Sequence, residues 1–254
     1  MPIGQRRPSL PLVSVVMPVY NEGDTVGIVI DDLLSREFDE FDMELIIIES
    51  NSLDSSRQVV ERYAHLPGVT VILQEIALGK GHAVRRGFQE ITGDIVLIQD
   101  ADLEYTIDDY PIVINPILTN QAKLVLGNRG HHGGAIREMP GEVWSSRITN
   151  FGHVIFTFIF NMVFRQRLED PFTMYKVFRV ECIEGMNFTA NRFDFDWELL
   201  GKLCRRGYKP LEVPINYQAR GFESGKKIRL VRDPLTWIRA ALRYRFSKLD
   251  EKDS

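Results

Sequence analysis

The chain has 254 residues, 44% of them hydrophobic and 26% charged, with 19 Gly and 12 Pro. That content suits one α/β domain with a real core and excludes a wholly disordered, collagen-like or disulfide-scaffold chain. The formal net charge of −4 divides unevenly, since residues 1–200 carry 17 Lys+Arg against 29 Asp+Glu and residues 201–254 carry 14 against 6.

In chain order, Val13–Pro18 is a β-branched run ended by proline and predicts a buried strand. Apolar residues at Val26, Val29, Ile30, Leu33 and Leu34 predict a helix over Thr25–Leu34. Leu45–Ile48 reads as a strand, Ser55–His65 as a helix, Val69–Leu73 as a strand and Gly81–Thr92 as a helix. Asp94–Gln99 is a fourth strand, running directly into acid. Tyr110–Thr119 reads as a helix, with Pro111 in its first turn, and Leu124–Leu126 as a strand. Gly130–Gly141 is a Gly-rich loop. Beyond it come a long apolar helix over Val143–Phe164, a strand at Met174–Arg179 and a helix over Asp196–Arg206 closed by Gly207. A strand at Pro210–Tyr217 and an amphipathic helix over Pro234–Phe246 complete the chain. The βαβαβαβ order of the first half predicts a mostly parallel sheet with helices on both faces. Ligands then bind outside the carboxyl ends of the strands, which singles out the loops after Pro18, Ile48 and Gln99.

Asp100 and Asp102 stand two residues apart at the exposed end of a buried strand. Two uncompensated carboxylates so placed repel one another, and a hard divalent ion with oxygen ligands, Mg²⁺ or Mn²⁺, is the natural compensation. Such an ion also neutralises a diphosphate. A D-x-D triplet alone is a weak signal, and a solvated acidic loop is the other reading. The first strand runs into Pro18-Val19-Tyr20-Asn21-Glu22 rather than G-x-G-x-x-G, the Gly79–Gly87 segment has the wrong spacing, and no phosphate-binding P-loop motif occurs.

Together VSVVMPVYNE, LGKGHAVRRG, GDIVLIQDADLEY, LVLGNR, DPFTMYKVFR, RFDFDWEL and EVPINYQARGFESGKKI, spread over residues 13–228, resemble the family-2 nucleotide-sugar glycosyltransferases of GT-A fold. Within that family they are most similar to the dolichyl/polyprenyl-phosphate mannosyl- and glucosyltransferase branch. The resemblance implies that Pro18, Tyr20 and Glu22 pack on the donor base and ribose, and that Asp100 and Asp102 are the metal-diphosphate carboxylates, with Glu104 as a third ligand. It implies that Arg129 faces phosphate, that Lys80 belongs to a Gly-flanked basic motif, and that Arg220, Lys226 and Lys227 form a basic loop over diphosphate or acceptor phosphate. One departure stands out. Where the family's second strand ends in D-D-x-S-x-D, this chain has Glu49-Ser50-Asn51-Ser52-Leu53-Asp54, so Glu49 keeps the first acid and Ser50 loses the second, which in the family helps read the base.

The resemblance divides the chain into an N-terminal extension at 1–12, a nucleotide-sugar half at 13–130, an acceptor half of the same domain at 131–230, and a basic amphipathic helix and tail at 231–254. The implied reaction is an inverting transfer from a UDP- or GDP-linked sugar, with metal and basic side chains stabilising the leaving diphosphate. A polyprenyl-phosphate acceptor brings an anionic oxygen and needs no base. A hydroxyl acceptor needs one, for which Asp170 is the candidate. A soluble transferase and an inactive binding paralogue remain as alternatives.

Cys182 and Cys204 fit no metal or redox spacing, which suits a reduced, cytoplasmic protein. The N-terminus lacks a signal-peptide pattern. The longest apolar run, Phe151–Phe164, is interrupted by His153 and Asn161 and falls short of the roughly 20 residues of a membrane span. Trp144–Phe164 is apolar nearly all round and so predicts burial, whereas Trp237, Arg232, Arg239, Arg243 and Arg245 suit a helix lying on anionic lipid at the cytoplasmic face. The basic tail points to an anionic partner of that kind; no nucleic-acid-binding motif accompanies it, and the sequence leaves the oligomeric state open.

Overall fold

The computed structural model describes residues 6–130, 143–220 and 232–247, together with 3, 136 and 249. Seven strands form one sheet: β1 (Leu12–Val19), β2 (Asp42–Glu49), β3 (Val69–Leu73), β4 (Ile95–Ile98), β5 (Leu124–Asn128), β6 (Lys176–Arg179) and β7 (Leu211–Pro214). Their order is β3-β2-β1-β4-β6-β5-β7. β1 pairs in parallel with β2 and β4, and β2 with β3, whereas β6 lies antiparallel between β4 and β5, and β7 is parallel to β5. Six strands therefore point one way and β6 alone runs against them, so the sheet is mostly parallel.

Alternation along β1 explains the two layers. Val13, Val15, Met17 and Val19 face a core closed by α1 (Val26–Ser35), α2 (Ser56–Glu61) and α4 (Tyr110–Leu118). Val16 faces the other core, closed by α3 (Lys80–Phe88), α5 (Val143–Phe164), α6 (Phe195–Arg205) and α7 (Arg232–Phe246). α3 lies close enough to the sheet that a Cβ on Gly87 would sit 2.5 Å from Val16 Cγ1 and 2.7 Å from Ile48 Cδ1. Residues ahead of β1 dock through Arg7, whose Nε donates to Asp42 Oδ1 at 2.7 Å.

Several boundaries differ from the periodic reading. α2 ends at Glu61 rather than His65, because Tyr63, Ala64 and Leu66 donate to carbonyls only three residues back and Gly68 then takes φ +72°. β7 stops at Pro214, and its continuation makes a single bridge, Tyr105 with Tyr217. α5 departs from the expected burial. Phe156, Phe160 and Phe164 enter the core, while Trp144, Ile148, Phe151, Ile155, Phe158 and Met162 stay exposed along the opposite face.

Candidate active site

Because β6 alone is reversed, the segments after β1, β2, β4, β5 and β7 and the segment before β6 all meet at one edge of the sheet. The chain turns from β1 to β2 on one side and resumes at β4 on the other, so a crevice opens between the ends of β1 and β4, the usual ligand position in such sheets. The loop after β1 is tied to the loop after β2: Asn21 N–H donates to Ser52 Oγ at 2.9 Å, Glu22 N–H to Ser56 Oγ at 2.7 Å and Leu53 N–H to Asn21 Oδ1 at 2.8 Å. It is tied to the loop after β4 by the Thr25 hydroxyl, 2.9 Å from the Ala101 carbonyl.

The acids leave β4 from a rigid base. Gln99 is fully buried, and its Oε1 accepts from Tyr110 Oη at 3.0 Å and Tyr175 Oη at 2.9 Å. Beyond it, Asp100 pairs with Lys80. Lys80 opens α3 directly after Gly79, whose φ of +112° and close approach to the Asn191 carbonyl, 2.5 Å from a would-be Cβ, leave no room for a side chain. Burial opposes the Lys80 charge, but Asp100 and Asp196 outweigh it and hold its pKa above the usual value.

Asp102 is buried against its acidic neighbours. Burial first, then Asp100 and Glu104, push its carboxyl up to about 7, with Arg220 working the other way. Its Oδ1 accepts from Glu104 N–H at 3.0 Å and its Oδ2 from Arg220 Nη2 at 2.7 Å. Arg220 also reaches Glu22 at 2.9 and 3.1 Å, and its own N–H donates to Glu104 Oε1 at 2.9 Å. Tyr217 Oη donates to Glu104 Oε2 at 2.8 Å. The segment carrying Tyr217 and Arg220 is anchored where Asn216 N–H and Nδ2 donate to Asp109, at 2.7 and 2.8 Å.

Arg129 and Asp170 form a separate, buried pair. Arg129 Nε and Nη2 each donate to Asp170 at 2.7 Å, and Arg129 N–H adds a third bond at 3.1 Å. Their side chains are 3% and 0% exposed. Burial opposes both charges, yet each ion outweighs it for the other: Arg129 is held well above its usual value and Asp170 below 3.8. Glu212 fixes the Asp170 loop by accepting from Glu169 and Asp170 N–H at 2.8 and 2.6 Å. Arg129 also lies over the Tyr217 ring, 5.1 Å from its centroid, which links this pair to the acid cluster.

The edge thus gathers Glu22, Lys80, Asp100, Asp102, Glu104 and Arg220 into one network. Pro18 and Tyr20 lie beside it on the β1 end, and Lys226 and Lys227 lie outside the described residues. Glu49 is buried and turned away: Oε1 accepts from Ser52 N–H at 2.6 Å and Oε2 from Arg57 Nε at 2.6 Å. Ser50 instead donates to Gln74 Oε1 at 3.0 Å, and Gln74 Nε2 lies 2.9 Å from His82 Nδ1, so a neutral chain replaces the family's second acid. No role follows from the sequence for Arg57, Gln74, Tyr217 or Asp196; Asp196, within the RFDFDWEL stretch, lies 2.8 Å from Lys176 Nζ.

The donor chemistry suits a hard divalent ion. Four carboxylates, Glu22, Asp100, Asp102 and Glu104, meet two cations, Lys80 and Arg220, and burial together with the charges of Asp100 and Glu104 raises Asp102. The three-carboxylate cage expected from Asp100, Asp102 and Glu104 is not assembled, however. Lys80 holds the first and Arg220 the other two, and among the described residues no three His, Cys, Asp or Glu side chains converge on one point.

The family described as glycosyl transferase family 2 matches residues 14–197. Glycosyltransferase AglJ of Haloferax volcanii is 28% identical over 228 residues, 89% of this chain and 69% of its own length. Dolichyl-phosphate beta-glucosyltransferase ALG5C of Trichomonas vaginalis is 25% identical over 259 residues, 97% of this chain and 75% of its own. The solved structure of glucosyl-3-phosphoglycerate synthase from Mycobacterium tuberculosis with uridine diphosphate superposes with a TM-score of 0.67 at 21% identity, over 92% of this chain and 80% of that one. A second structure of that synthase, with Mn²⁺, uridine diphosphate and glucosyl-3-phosphoglycerate, gives 0.61 at 20% identity, over 97% and 88%. The fold is therefore the GT-A fold.

Proposed function

The chain belongs to glycosyl transferase family 2 and is a glycosyltransferase, and from that premise we propose that it moves a sugar from a nucleotide-diphosphate donor to a polyprenyl phosphate at a membrane surface. The observation that carries the acceptor is the state of Asp170. The candidate base has both oxygens bound to Arg129, whereas a phosphate acceptor supplies its own negative oxygen and asks for none. The names of the relatives agree with that reading, since ALG5C and a Pyrococcus furiosus relative at 27% identity are both described as dolichyl- or dolichol-phosphate sugar transferases.

In this mechanism the donor lies in the β1/β4 crevice, its base near Pro18, Tyr20 and the Ser50–Gln74–His82 chain. Asp100, Asp102 and Glu104 would hold Mg²⁺ or Mn²⁺, an ion that offsets charge on the leaving diphosphate. Lys80 and Arg220 supply fixed positive charge at the same place and so favour the transition state, in which further negative charge builds on the diphosphate, over the bound donor. Arg129, held by Asp170 and resting on Tyr217, orients the acceptor side. The bound Mn²⁺ and uridine diphosphate of the structurally similar synthase support both the metal and the nucleotide class.

Membrane contact rests on the exposed face of α5. Trp144, Ile148, Phe151, Ile155, Phe158 and Met162 recur at spacings of three and four, and Leu242 and Phe246 of α7 are exposed as well. Exposed Arg147, Arg165, Arg239 and Arg243 flank them, the pattern of a helix pair lying on anionic lipid. No helix among the described residues is long and apolar enough to cross a membrane. We place the protein peripherally on the cytoplasmic face. The test is incubation with polyprenyl phosphate, UDP- or GDP-sugars and Mn²⁺ on anionic liposomes. A lipid-linked sugar is expected, and its absence alongside transfer to a soluble hydroxyl acceptor would overturn the proposal.

A further inference from the structure

Arg220 stands where the site needs a cation, yet it fits imperfectly. Its Nη atoms satisfy Glu22 and Asp102, but Nε is buried without a hydrogen-bond partner, 3.9 Å from Glu104 Oε1. Both oxygens of Asp102 are already committed, one to Glu104 N–H and one to Arg220. Asp100 gives one oxygen, Oδ1, to Lys80. An ion that takes Asp102 Oδ2 has to displace the guanidinium that faces it at 2.7 Å. The ion and Arg220 compete for the same charge.

We infer that Arg220 is a resident counter-cation that must leave Asp102 before a divalent ion can bind, and that a nucleotide diphosphate drives the exchange by giving the released guanidinium a phosphate partner. The inference rests on the donor and metal reading above and adds to it an order: metal and nucleotide bind weakly alone and tightly together. The reasoning is one of linkage. Without nucleotide, the ion gains carboxylate oxygens but the guanidinium loses its bond to Asp102 while its Nε is already buried without a partner. With nucleotide, the planar fork of Arg220 passes to phosphate oxygens, which it matches bidentately, and the carboxylates are left to the ion. Coupling between two such ligands commonly amounts to roughly 5- to 150-fold in affinity. Before the exchange, Arg220 keeps the loops after β1, β4 and β7 together, because its three carboxylate partners come from two of them and its own backbone from the third.

Mn²⁺ binding, followed by loss of the free-ion electron paramagnetic resonance signal, tests this on wild type, Arg220→Gln and Asp102→Asn, each with and without UDP or GDP. Wild type is expected to bind Mn²⁺ weakly alone and at least about 10-fold more tightly with its nucleotide. Arg220→Gln is expected to bind Mn²⁺ without nucleotide at least about 10-fold more tightly than wild type, and to gain less from nucleotide than wild type does. Arg220→Lys, which keeps a charge but loses the fork, serves if the glutamine variant does not fold, and should fall between the two. Nucleotide-free Arg220→Gln or Arg220→Lys binding Mn²⁺ no more tightly than wild type overturns the exchange, while loss of binding in Asp102→Asn leaves the metal reading standing. Folded wild type that takes up no Mn²⁺ even with either nucleotide overturns the metal reading, and the exchange with it.

Discussion

Replacing Asp170 by asparagine separates structure from chemistry at the acceptor side. The substitution keeps size and one acceptor oxygen but removes the charge that faces Arg129 through three hydrogen bonds, at a place where the two side chains are 0% and 3% exposed. Breaking one side of such a pair leaves an uncompensated buried cation and costs about 4 kcal/mol. For a chain of this size that lowers Tm by roughly 10 °C. The sign of the pH dependence follows from the depressed Asp170 pKa: the pair's contribution is present above 3.8, the usual carboxylate value, and is lost as pH falls through the lower folded value. The deficit of Asp170→Asn should therefore persist from pH 8 to pH 5. Calorimetric melts of Asp170→Asn, Arg129→Met and the double variant give the coupling, and the double variant should recover much of the loss, because it strands no charge. A melt of Asp170→Asn within about 2 °C of wild type would refute the reasoning. If transfer were abolished in that stable variant, Asp170 would act in the chemistry after all.

Asp102→Asn should stabilise the metal-free protein at pH 8, by up to ~4 kcal/mol for a carboxyl moved from 3.8 to about 7. With the folded pKa raised, wild-type stability falls as pH rises between those two values, so the variant's advantage should vanish near pH 4 in urea titrations. Gly79→Ala adds a side chain at φ +112° against the Asn191 carbonyl and should cost about 2 kcal/mol, with a matching fall in nucleotide affinity as Lys80 is displaced. Phe151→Glu/Phe158→Glu alters two side chains that are 68% and 65% exposed, so Tm should hold. Binding to anionic liposomes at low salt should drop at least about 100-fold in a flotation assay.

Much of the architecture was legible because it depends on local patterns. Apolar runs such as VSVVMP and DIVLIQ are strands buried on both faces, and the βα alternation leaves few topologies open. The insertion of β6 between β4 and β5 was not, since a four-residue strand carries no mark of the neighbours it pairs with. The acids were found because they terminate β4. What holds them was hidden, since Arg220 meets Asp102 from 118 positions away. Asp170 shows the same limit: a carboxylate before Pro-Phe-Thr looks available until Arg129, 41 residues earlier, is found beside it. In α5 composition predicted burial, but the sheet offers room for one face only, and Phe156, Phe160 and Phe164 took it.

The lone reversal of β6 has a practical corollary. Every described segment bearing reactive side chains emerges on one rim of the sheet, so the opposite rim, with its turns at 89–94, 119–123 and 206–210, is separable from donor and acceptor alike. Fluorophores, affinity handles or short insertions there would report on folding and docking without touching catalysis. The turns after β5 and before β6 could meanwhile diverge to suit new acceptors while the nucleotide side stayed as it is.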